Sequence, residues 1–587
     1  MTIHCLSRRA FLRGSSVAGV ATAGTSLFWS PELRAEMPLP KSANALDEKL
    51  DAFIAAYMPA MNAPGMTLGL TNTEQTLRTA GYGYADVERR VSVTPDHLFQ
   101  IGSITKSFVA LVLLQLHDEG KLDLQKPILD YLPDLPISCG FGTITVHHLL
   151  THTSGLPDSL ALFSSDPTAR LVQGFKPGEH FHYCNAGFDI LGLLAAKLDG
   201  RAWRECVKAR IFDPLEMNAT HGVITTAARD RAAIGYEPFW DDEVYPRQGR
   251  LAPAPNLVMD NTAGCIASTP GDMARYARML LNRGKGPKSR LVSEASFQLF
   301  TTPHIKAPEF SPTASYGYGI AVDTLDGHKI LRHTGGMVAF ASSIHVDLDG
   351  HVAAFASINA MQGYRPTAVT EYAIQLLRAN GENKPLPAPP AIKDTREIDN
   401  GGDYAGTFTA PDGRTLTFAV EGKTLQLMLD GKAIPLQNTA EDMFISTVPG
   451  SMSGDSFNFG RKEESQSDKA ASADAKPKSP VVDVSYRDQW FTNAAYSGVR
   501  TFHVPAEWSA YIGRYQCDSP WGGEMRVYVL KDRLVAGGAN LAALGGSLFR
   551  AGDDDWSPET AEFLHMFEGK ARLLRFAGAD YVRVEVD

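Results

Sequence analysis

The order of strand-like and helical patterns in the first 380 residues most constrains what this chain can fold into. Residues 65–70 and 77–85 are predicted to be strands. Helical periodicity then prevails until about residue 300, and four more strand-like segments follow. Because strands occur early and late with helices between them, we expect one sheet built from both ends of the domain and a separate helical lobe. A cleft between the two is the natural ligand site.

The late strands are expected to form two hairpins. They are predicted at 319–324, 329–333, 340–348 and 351–359, with turns at Asp326-Gly327 and Asp349-Gly350. An amphipathic helix is predicted at 45–57. The pattern therefore indicates an α/β domain with an antiparallel sheet flanked by helices.

A proline-rich segment separates this domain from the rest of the chain. Residues 384–390 read Lys-Pro-Leu-Pro-Ala-Pro-Pro, a composition that makes a stiff connector and no core. Behind it, Tyr-Ala-Gly-Thr-Phe at 404–408 parallels Tyr-Ile-Gly-Arg-Tyr at 511–515, and short alternating strands follow both. We expect two small antiparallel β-barrels. The charged stretch at 461–480 has no aromatic residue and is predicted to be a disordered loop.

The first 35 residues are predicted to be an export signal and not a folded element. Arg8 and Arg9 form a twin-arginine pattern, and a weakly apolar run of about 15 residues follows at 14–28. That run is too short to span a bilayer, and no later segment is long and apolar enough to do so. We therefore predict export by the twin-arginine route, to the periplasm or the medium.

Composition excludes some partners. A net charge of −10 over 587 residues argues against a nucleic-acid partner, which needs a dense Lys/Arg surface. Six cysteines in a chain of this length form no disulfide framework. The expected partner is a small-molecule or peptide substrate, and a homodimer stays open.

Ser103 and Lys106 form the first motif that carries chemistry. Their i, i+3 spacing puts both on one face of a helix predicted to run from Ser103 to about Glu119, with Gly120 as its C-cap. The helix is apolar almost all round and hence buried, which disfavours the ammonium form of the lysine. An easily neutralised amine beside a hydroxyl can take its proton. Alone, the pattern also fits a serine N-cap and a chance lysine.

Two further motifs do not indicate a catalytic site when each is read by itself. Tyr183 and Asn185 are expected on the same side of an extended stretch, where a phenol can relay a proton and a carboxamide can hold a substrate amide. His333 precedes Thr334, Gly335 and Gly336 at the end of an edge-like strand. Glycines there let a substrate backbone approach, and a free N–H can complete an oxyanion hole. Read separately, these are a core tyrosine and a turn.

Together, Ser-x-x-Lys, Tyr-x-Asn and His-Thr-Gly in this order resemble the motif set of penicillin-recognising serine hydrolases. That group includes class C β-lactamases, DD-carboxypeptidases, D-aminopeptidases and related esterases. Phe-Gln-Ile-Gly at 99–102 and Leu-Leu-Thr-His-Thr-Ser-Gly-Leu-Pro at 149–157 agree with it. The resemblance covers roughly 45–380 and implies a β-lactamase/transpeptidase-like fold. The predicted organisation is an export signal at 1–35, a serine hydrolase domain at 40–383, and barrels at 397–498 and 505–587.

The resemblance implies a role for each motif residue. Ser103 would be acylated, Lys106 would assist its deprotonation, and Tyr183 would handle the proton at the leaving group. Asn185 would bind the substrate amide and His333 would help to steer the substrate. The N–H groups of Ser103 and Gly336, with Gly335 beside them, would bind the oxyanion. No cofactor and no metal are implied.

One departure separates subgroups of this family. β-Lactamases usually carry lysine at the third motif, where this chain has His333, the variant of DD-peptidases and D-aminopeptidases. The two barrels also resemble the D-aminopeptidase layout, in which a tail loop reaches the active site; here 518–523 is a candidate for that loop or a plain hairpin connection. We expect a peptidase or amidase. A carboxylesterase or a β-lactamase on the same site, and a non-hydrolytic penicillin-binding sensor, stay open.

Some histidines and one cysteine near the motifs mimic other sites. His148 and His152 lie four apart, but the segment lacks acidic or cysteine partners at metal-ligand spacing and is interpreted as a structural helix end. His180 and His182 are interpreted as polar framing around Tyr183. Cys184 should point away from Tyr183 and Asn185 and is interpreted as packing.

Overall fold

A computed structural model describes most of the chain: residues 33, 36–159, 162–164, 166–238, 250–255, 260–361, 365–446, 448, 450–462, 479–519 and 521–584. The predicted export signal lies outside the described residues except for Leu33, and so does 463–478 of the predicted loop. Among the helices that are described, none has the length and apolar character that crossing a membrane requires.

The first domain is built on one large antiparallel sheet. Its strands and the short strands around it are β1 Gly65–Asn72, β2 Thr76–Asp86, β3 Val91–Ser92, β4 Phe99–Gln100, β5 Ile137–Ser138, β6 Leu171–Val172, β7 Tyr236–Pro238, β8 Leu251–Pro253, β9 Ala267–Ser268, β10 Ile305–Lys306, β11 Ser315–Tyr316, β12 Ala321–Leu325, β13 His328–Met337, β14 Phe340–Asp347 and β15 Val352–Ile358. The nine-stranded sheet has the order β10-β11-β12-β13-β14-β15-β1-β2-β3. Because β1 pairs with β15, both ends of the domain join in one sheet, as predicted.

Helices cover the sheet and form the lobe. They are α1 Ala45–Ala60, α2 Thr105–Asp118, α3 Ile128–Tyr131, α4 Val146–Leu150, α5 Asn185–Asp199, α6 Trp203–Val207, α7 Pro270–Leu281, α8 Glu294–Phe300 and α9 Thr367–Gly381. Helices α1 and α9 share an apolar core with β1 and β15, in which the rings of Phe53 and Tyr372 meet edge to face at 5.2 Å.

Helix α2 lies at the centre of the second core. Its apolar side chains are buried on all sides, and the Phe108 ring stacks on Tyr276 with centroids 3.9 Å apart. Burying each side chain of this size stabilises the fold by about 1.5–3 kcal/mol. The predicted helix start is wrong by two residues, because Gly102–Ile104 forms a separate 3₁₀ turn ahead of α2. Ser103 therefore sits in a tight turn and does not open the α-helix.

Two closed eight-stranded antiparallel barrels follow the first domain, as predicted. The first contains β16 Gly406–Thr409, β17 Thr415–Glu421, β18 Thr424–Leu429, β19 Lys432–Ala440, β20 Met443–Ser446, β21 Ser456–Arg461, β22 Val481–Tyr486 and β23 Gln489–Thr492. The second contains β24 Gly513–Gln516, β25 Glu524–Leu530, β26 Arg533–Ala536, β27 Ala539–Gly545, β28 Leu548–Ala551, β29 Thr560–Phe567, β30 Lys570–Phe576 and β31 Ala579–Val584.

The loop predicted at 461–480 is wrong at its first residue. Arg461 belongs to β21, and its guanidinium contacts the Asp442 carboxylate at 2.8 Å. The hydroxyl of Tyr404 donates to the same carboxylate at 2.8 Å. These partners hold Arg461 in the barrel wall. The sequence did not indicate this, because the residues that follow Arg461 are charged and lack a strand pattern.

Candidate active site

Ser103 lies in the 3₁₀ turn between β4 and α2, where the turn packs against the sheet. Gly102 has a φ of +54°, and a Cβ on it would lie 2.5 Å from the Gly336 nitrogen, so only glycine fits. The Ser342 hydroxyl of β14 donates to the Ile101 carbonyl at 2.7 Å. The turn that carries Ser103 is thereby fixed against the ends of β13 and β14.

Lys106, in the first turn of α2, is fully buried beside Ser103. Its Nζ lies 3.1 Å from Oγ of Ser103 and donates to Oδ1 of Asn185 at 2.7 Å and to the Ala263 carbonyl at 2.9 Å. Burial lowers the pKa of the amine to about 8, although the charges of two carboxylates, Asp158 and Asp189, oppose that shift. About a tenth of the amine is then neutral at pH 7 and able to accept the hydroxyl proton.

Tyr183 completes the contacts of Ser103. Its phenol lies near enough to the Ser103 side chain for that side chain to lower the phenol pKa, and Nζ of Lys106 lies 4.8 Å from the centre of its ring. Burial raises the pKa of the phenol far above its usual range, so it stays protonated at neutral pH. A protonated phenol between serine and lysine can pass a proton in either direction.

Asn185 is the first residue of α5 and does not lie on an extended stretch, because Cys184 caps the helix. The Asn185 carboxamide accepts from Lys106 and donates to both oxygens of Asp158, at 3.0 and 3.2 Å. The predicted contact with a substrate amide therefore has to share these groups with Lys106 and Asp158.

His333 is buried on β13. The Thr334 carbonyl can only accept, so Nδ1 of His333 donates to it at 2.6 Å, and Nε2 accepts from the Tyr316 hydroxyl at 3.0 Å. Burial and the nearby lysine lower its pKa to about 3, so the ring is neutral at pH 7. Strand β12 pairs with β13 only as far as Arg332, and beyond that point β13 has the predicted edge-like character.

Gly335 and Gly336 bring the backbone of β13 against the Ser103 turn. A Cβ on Gly335 would lie 1.9 Å from the Ile101 carbonyl oxygen. A Cβ on Gly336 would lie 2.4 Å from a guanidinium nitrogen of Arg365, which places a cation beside this strand end. The predicted motif residues thus come together where the Ser103 turn, helix α5 and the end of β13 meet.

The Beta-lactamase family profile matches residues 50–379 of the chain. The chain belongs to this family. Protein flp of Staphylococcus aureus (strain MW2) is 26% identical over 348 residues, which cover 57% of this chain and 67% of flp. Penicillin-binding protein 4 of Amycolatopsis lactamdurans is 30% identical over 272 residues, or 42% of this chain and 68% of that protein.

A solved structure supports the fold beyond the family domain. The octameric penicillin-binding protein homologue from Pyrococcus abyssi aligns with a TM-score of 0.53 and 24% identity. The alignment covers 76% of this chain and 99% of that one. The β-lactamase-like domain is therefore followed by a tail that the similarity partly includes.

Sequence reasoning missed several charged residues of this β-lactamase-type site. Asp158 and Asp189 act on Lys106 through space, and Arg365 lies beside Gly336. Asp189 follows Asn185 by four residues on α5, a spacing that puts both on one helix face and was a usable signal. Asp158 directly follows the 149–157 segment, but nothing local indicates that it holds Asn185.

His148 and His152, which sequence analysis rejected as zinc ligands, have structural partners. Nδ1 of His148 accepts from the Thr145 N–H at 3.1 Å in a capping box of α4, and Nδ1 of His152 accepts from the Cys184 N–H at 3.0 Å. Within the described ranges, no group of three or more His, Cys, Asp or Glu side chains could hold a metal ion. Burial raises the pKa of the Cys184 thiol well above its usual range, so it stays protonated.

The second barrel contacts the segment around Tyr183. His180 stacks on Trp556 with centroids 4.4 Å apart, and His182 lies 2.7 Å from the Glu559 carboxylate, so both histidines face the barrel. Trp521, in the 518–523 connection between β24 and β25, packs against the apolar cluster that includes Met337 at the end of β13.

Proposed function

We propose that this chain is a serine hydrolase that forms an acyl-enzyme on Ser103 and acts on peptides or amides, in the manner of a D-aminopeptidase or DD-carboxypeptidase. One observation carries the proposal. A fully buried lysine amine lies 3.1 Å from the Ser103 hydroxyl and has a pKa lowered to about 8. Such an amine is a base strong enough to activate serine and is often enough neutral to do so.

In the acylation step, Oγ of Ser103 attacks the substrate carbonyl carbon and its proton passes to neutral Lys106. The N–H groups of Ser103 and Gly336 stabilise the negative charge on the carbonyl oxygen. Collapse of the tetrahedral intermediate breaks the bond to the leaving amine. Tyr183 hands the amine a proton and recovers one from Lys106, so the protons balance.

In the deacylation step, water attacks the ester carbonyl and loses a proton to the Lys106–Tyr183 pair. Ser103 leaves with that proton and the acid product is released. Because the same groups serve both steps, each must return to its starting protonation state, which the hydrogen bonds from Lys106 to Ser103 and Asn185 allow.

One feature suits an amide leaving group more than an ester, and another disfavours a β-lactam. The phenol of Tyr183 stays protonated and can supply the proton that an amine leaving group needs. His333 is neutral at pH 7 and offers no cation to a drug carboxylate. An ester leaving group needs less protonation than an amine, so a carboxylesterase could use the same residues. A panel of ester and amide substrates distinguishes the two activities.

The test is covalent labelling of the purified full-length protein by a fluorescent fluorophosphonate. Wild type and Ser509→Ala, an exposed serine of the second barrel, should label equally, whereas Ser103→Ala should not label. Labelling that persists in Ser103→Ala would contradict the assignment of the nucleophile. Turnover of D-alanyl amides, D-Ala-D-Ala peptides, nitrophenyl esters and a chromogenic cephalosporin then ranks the substrate classes. Labelling without turnover of any of them would indicate a sensor.

We also propose that the protein acts outside the cytoplasm, because residues 1–35 carry the twin-arginine pattern. The measurement is the location of a fusion of these residues to a reporter that fluoresces after folded export. Replacement of Arg8 and Arg9 by lysine should retain the fusion in the cytoplasm. Equal export of both fusions would contradict the proposal.

A further inference from the structure

The segment between β28 and β29 of the second barrel reaches the catalytic domain. Trp556 stacks on the His180 ring at an interplanar angle of 8°. Pro558 packs so closely on Gly174 that a Cβ at residue 174 would lie 2.4 Å from Cα of Pro558. These contacts seat Glu559 beside the segment that contains Asp158.

Glu559 enters the hydrogen-bond network of the site itself. One of its carboxylate oxygens accepts the backbone N–H of Asp158 at 2.8 Å and lies 2.7 Å from Nε2 of His182. The Glu559 side chain is 18% exposed, so water competes weakly for these bonds. A charge-assisted acceptor of this kind holds a backbone N–H firmly.

The contact leads to the catalytic lysine in three steps. Glu559 fixes the Asp158 backbone, and Oδ1 of Asp158 accepts the Asn185 N–H at 2.7 Å and its carboxamide at 3.0 Å. The Asn185 carboxamide then accepts from Nζ of Lys106 at 2.7 Å. Each link joins residues from a different part of the chain, so the lysine position depends on the second barrel.

We propose that Glu559 is a positioning residue for the catalytic centre, so that the second barrel holds the Asp158–Asn185–Lys106 chain in its reactive geometry. The inference rests on the proposed serine-hydrolase function. It assigns a residue outside the family domain, which ends at 379, to the machinery of that domain. Glu559 touches neither Ser103 nor a substrate and acts only through Asp158.

The negative charge of Glu559 should also change the pH dependence of the reaction, which simple docking of the barrel on the first domain would not do. Burial and the negative charge of Glu559 both raise the pKa of Asp158, while Lys106 and the Asn185 N–H lower it. Below about pH 8 the rate already falls because Lys106 becomes protonated. As pH falls further, through the raised pKa of Asp158, that carboxylate becomes neutral and its hold on Asn185 weakens, so the rate falls more steeply, and this steeper part of the profile is the acid limb. Removing the Glu559 charge should move this acid limb to lower pH. The other groups facing the pair are His182, Glu309, Tyr183 and Cys184.

The experiment measures the rate of fluorophosphonate labelling of Ser103 against pH in the full-length protein. Glu559→Ala loses the acceptor, and its maximal rate should fall about 10-fold to 100-fold. Glu559→Gln keeps an acceptor oxygen and should retain most of that rate, but with its acid limb shifted to lower pH. Glu568→Gln, an exposed glutamate of the same barrel, should behave as wild type.

Trp556→Ala separates positioning from docking, because it removes a barrel contact and leaves Glu559 in place. It should lower the rate without moving the acid limb. If Glu559→Ala labels at the wild-type rate, or if both Glu559 variants match Trp556→Ala with an unmoved limb, the proposal is overturned. Persistent labelling of Ser103→Ala would instead mean that the proposed function has failed.

Discussion

Gly335→Ala tests whether the backbone contact between β13 and the Ser103 turn is needed for catalysis. An alanine Cβ would lie 1.9 Å from the Ile101 carbonyl oxygen and 2.3 Å from Oγ of Ser342, while real Cβ contacts essentially never fall below 3.0 Å. The Ser342 side chain can rotate, but the Ile101 carbonyl is backbone two residues before Ser103, the proposed nucleophile. The strand and the turn must therefore separate by roughly 1 Å.

The expected cost has two parts. Overpacking of this kind destabilises a fold by about 1–3 kcal/mol. A displacement of about 1 Å between Ser103 and the Gly336 N–H also opens the oxyanion hole, and such a misplacement costs on the order of 10²-fold in rate. We expect kcat/KM for a nitrophenyl ester to fall by about 10²-fold while most of the protein stays folded.

The assay pairs urea unfolding with ester hydrolysis at a temperature well below the unfolding midpoint. Gly402→Ala is the matched control, because a Cβ at that glycine in the first barrel would meet nothing within 4 Å. The control should keep wild-type activity and stability. Wild-type kcat/KM in Gly335→Ala would refute the reasoning, because the two backbones could then part without consequence.

Three further outcomes are expected. The kcat/KM of the wild type should rise with pH and level off above about 8, because only neutral Lys106 accepts the serine proton; a rate that is flat across that range would contradict the role of the amine. Tyr183→Phe should slow amide turnover far more than nitrophenyl ester turnover, since only the amine needs a proton, and equal losses on the two substrates would count against the relay. Gly174→Ala should lower the free energy of unfolding by about 1–3 kcal/mol in a urea titration, because its Cβ meets Cα of Pro558 at 2.4 Å; an unchanged midpoint would show that the barrel contact yields freely.

Periodicity predicted the parts of the fold that bury a face. The apolar segments within 65–85 and 319–359 identified the central strands, of which β1 and β15 are buried on both faces of the sheet. Strands β10 and β11 at the margin of the sheet were not predicted, because two residues are too few to show a periodic pattern. Closure of each barrel followed from many short strands between turn residues.

Local geometry set by distant packing could not be predicted. Ser103 lies in a 3₁₀ turn because Gly102 is pressed against Gly336, and that contact joins two motifs far apart in sequence. Asn185 begins a helix because the Cys184 sulfur accepts the Gly187 N–H at 3.2 Å, and cysteine is not a typical N-cap residue. Glu559 escaped notice because its partners lie 401 and 377 residues away.

The same packing explains how a lysine surrounded by acids keeps a lowered pKa. Two carboxylates, Asp158 and Asp189, lie close enough to raise the pKa of Lys106, yet burial prevails and holds it at about 8. For Asp158, a neutral side chain lies between the carboxylate and the amine: Asn185 accepts from Nζ of Lys106 at 2.7 Å and donates its amide N–H to Asp158 at 3.0 Å. A carboxylate in direct contact would hold the ammonium form. The amide lets Asp158 orient the amine without keeping it protonated, so in the proposed mechanism the placement of Asp158, and with it the contact to Glu559, bears on how readily Lys106 activates Ser103.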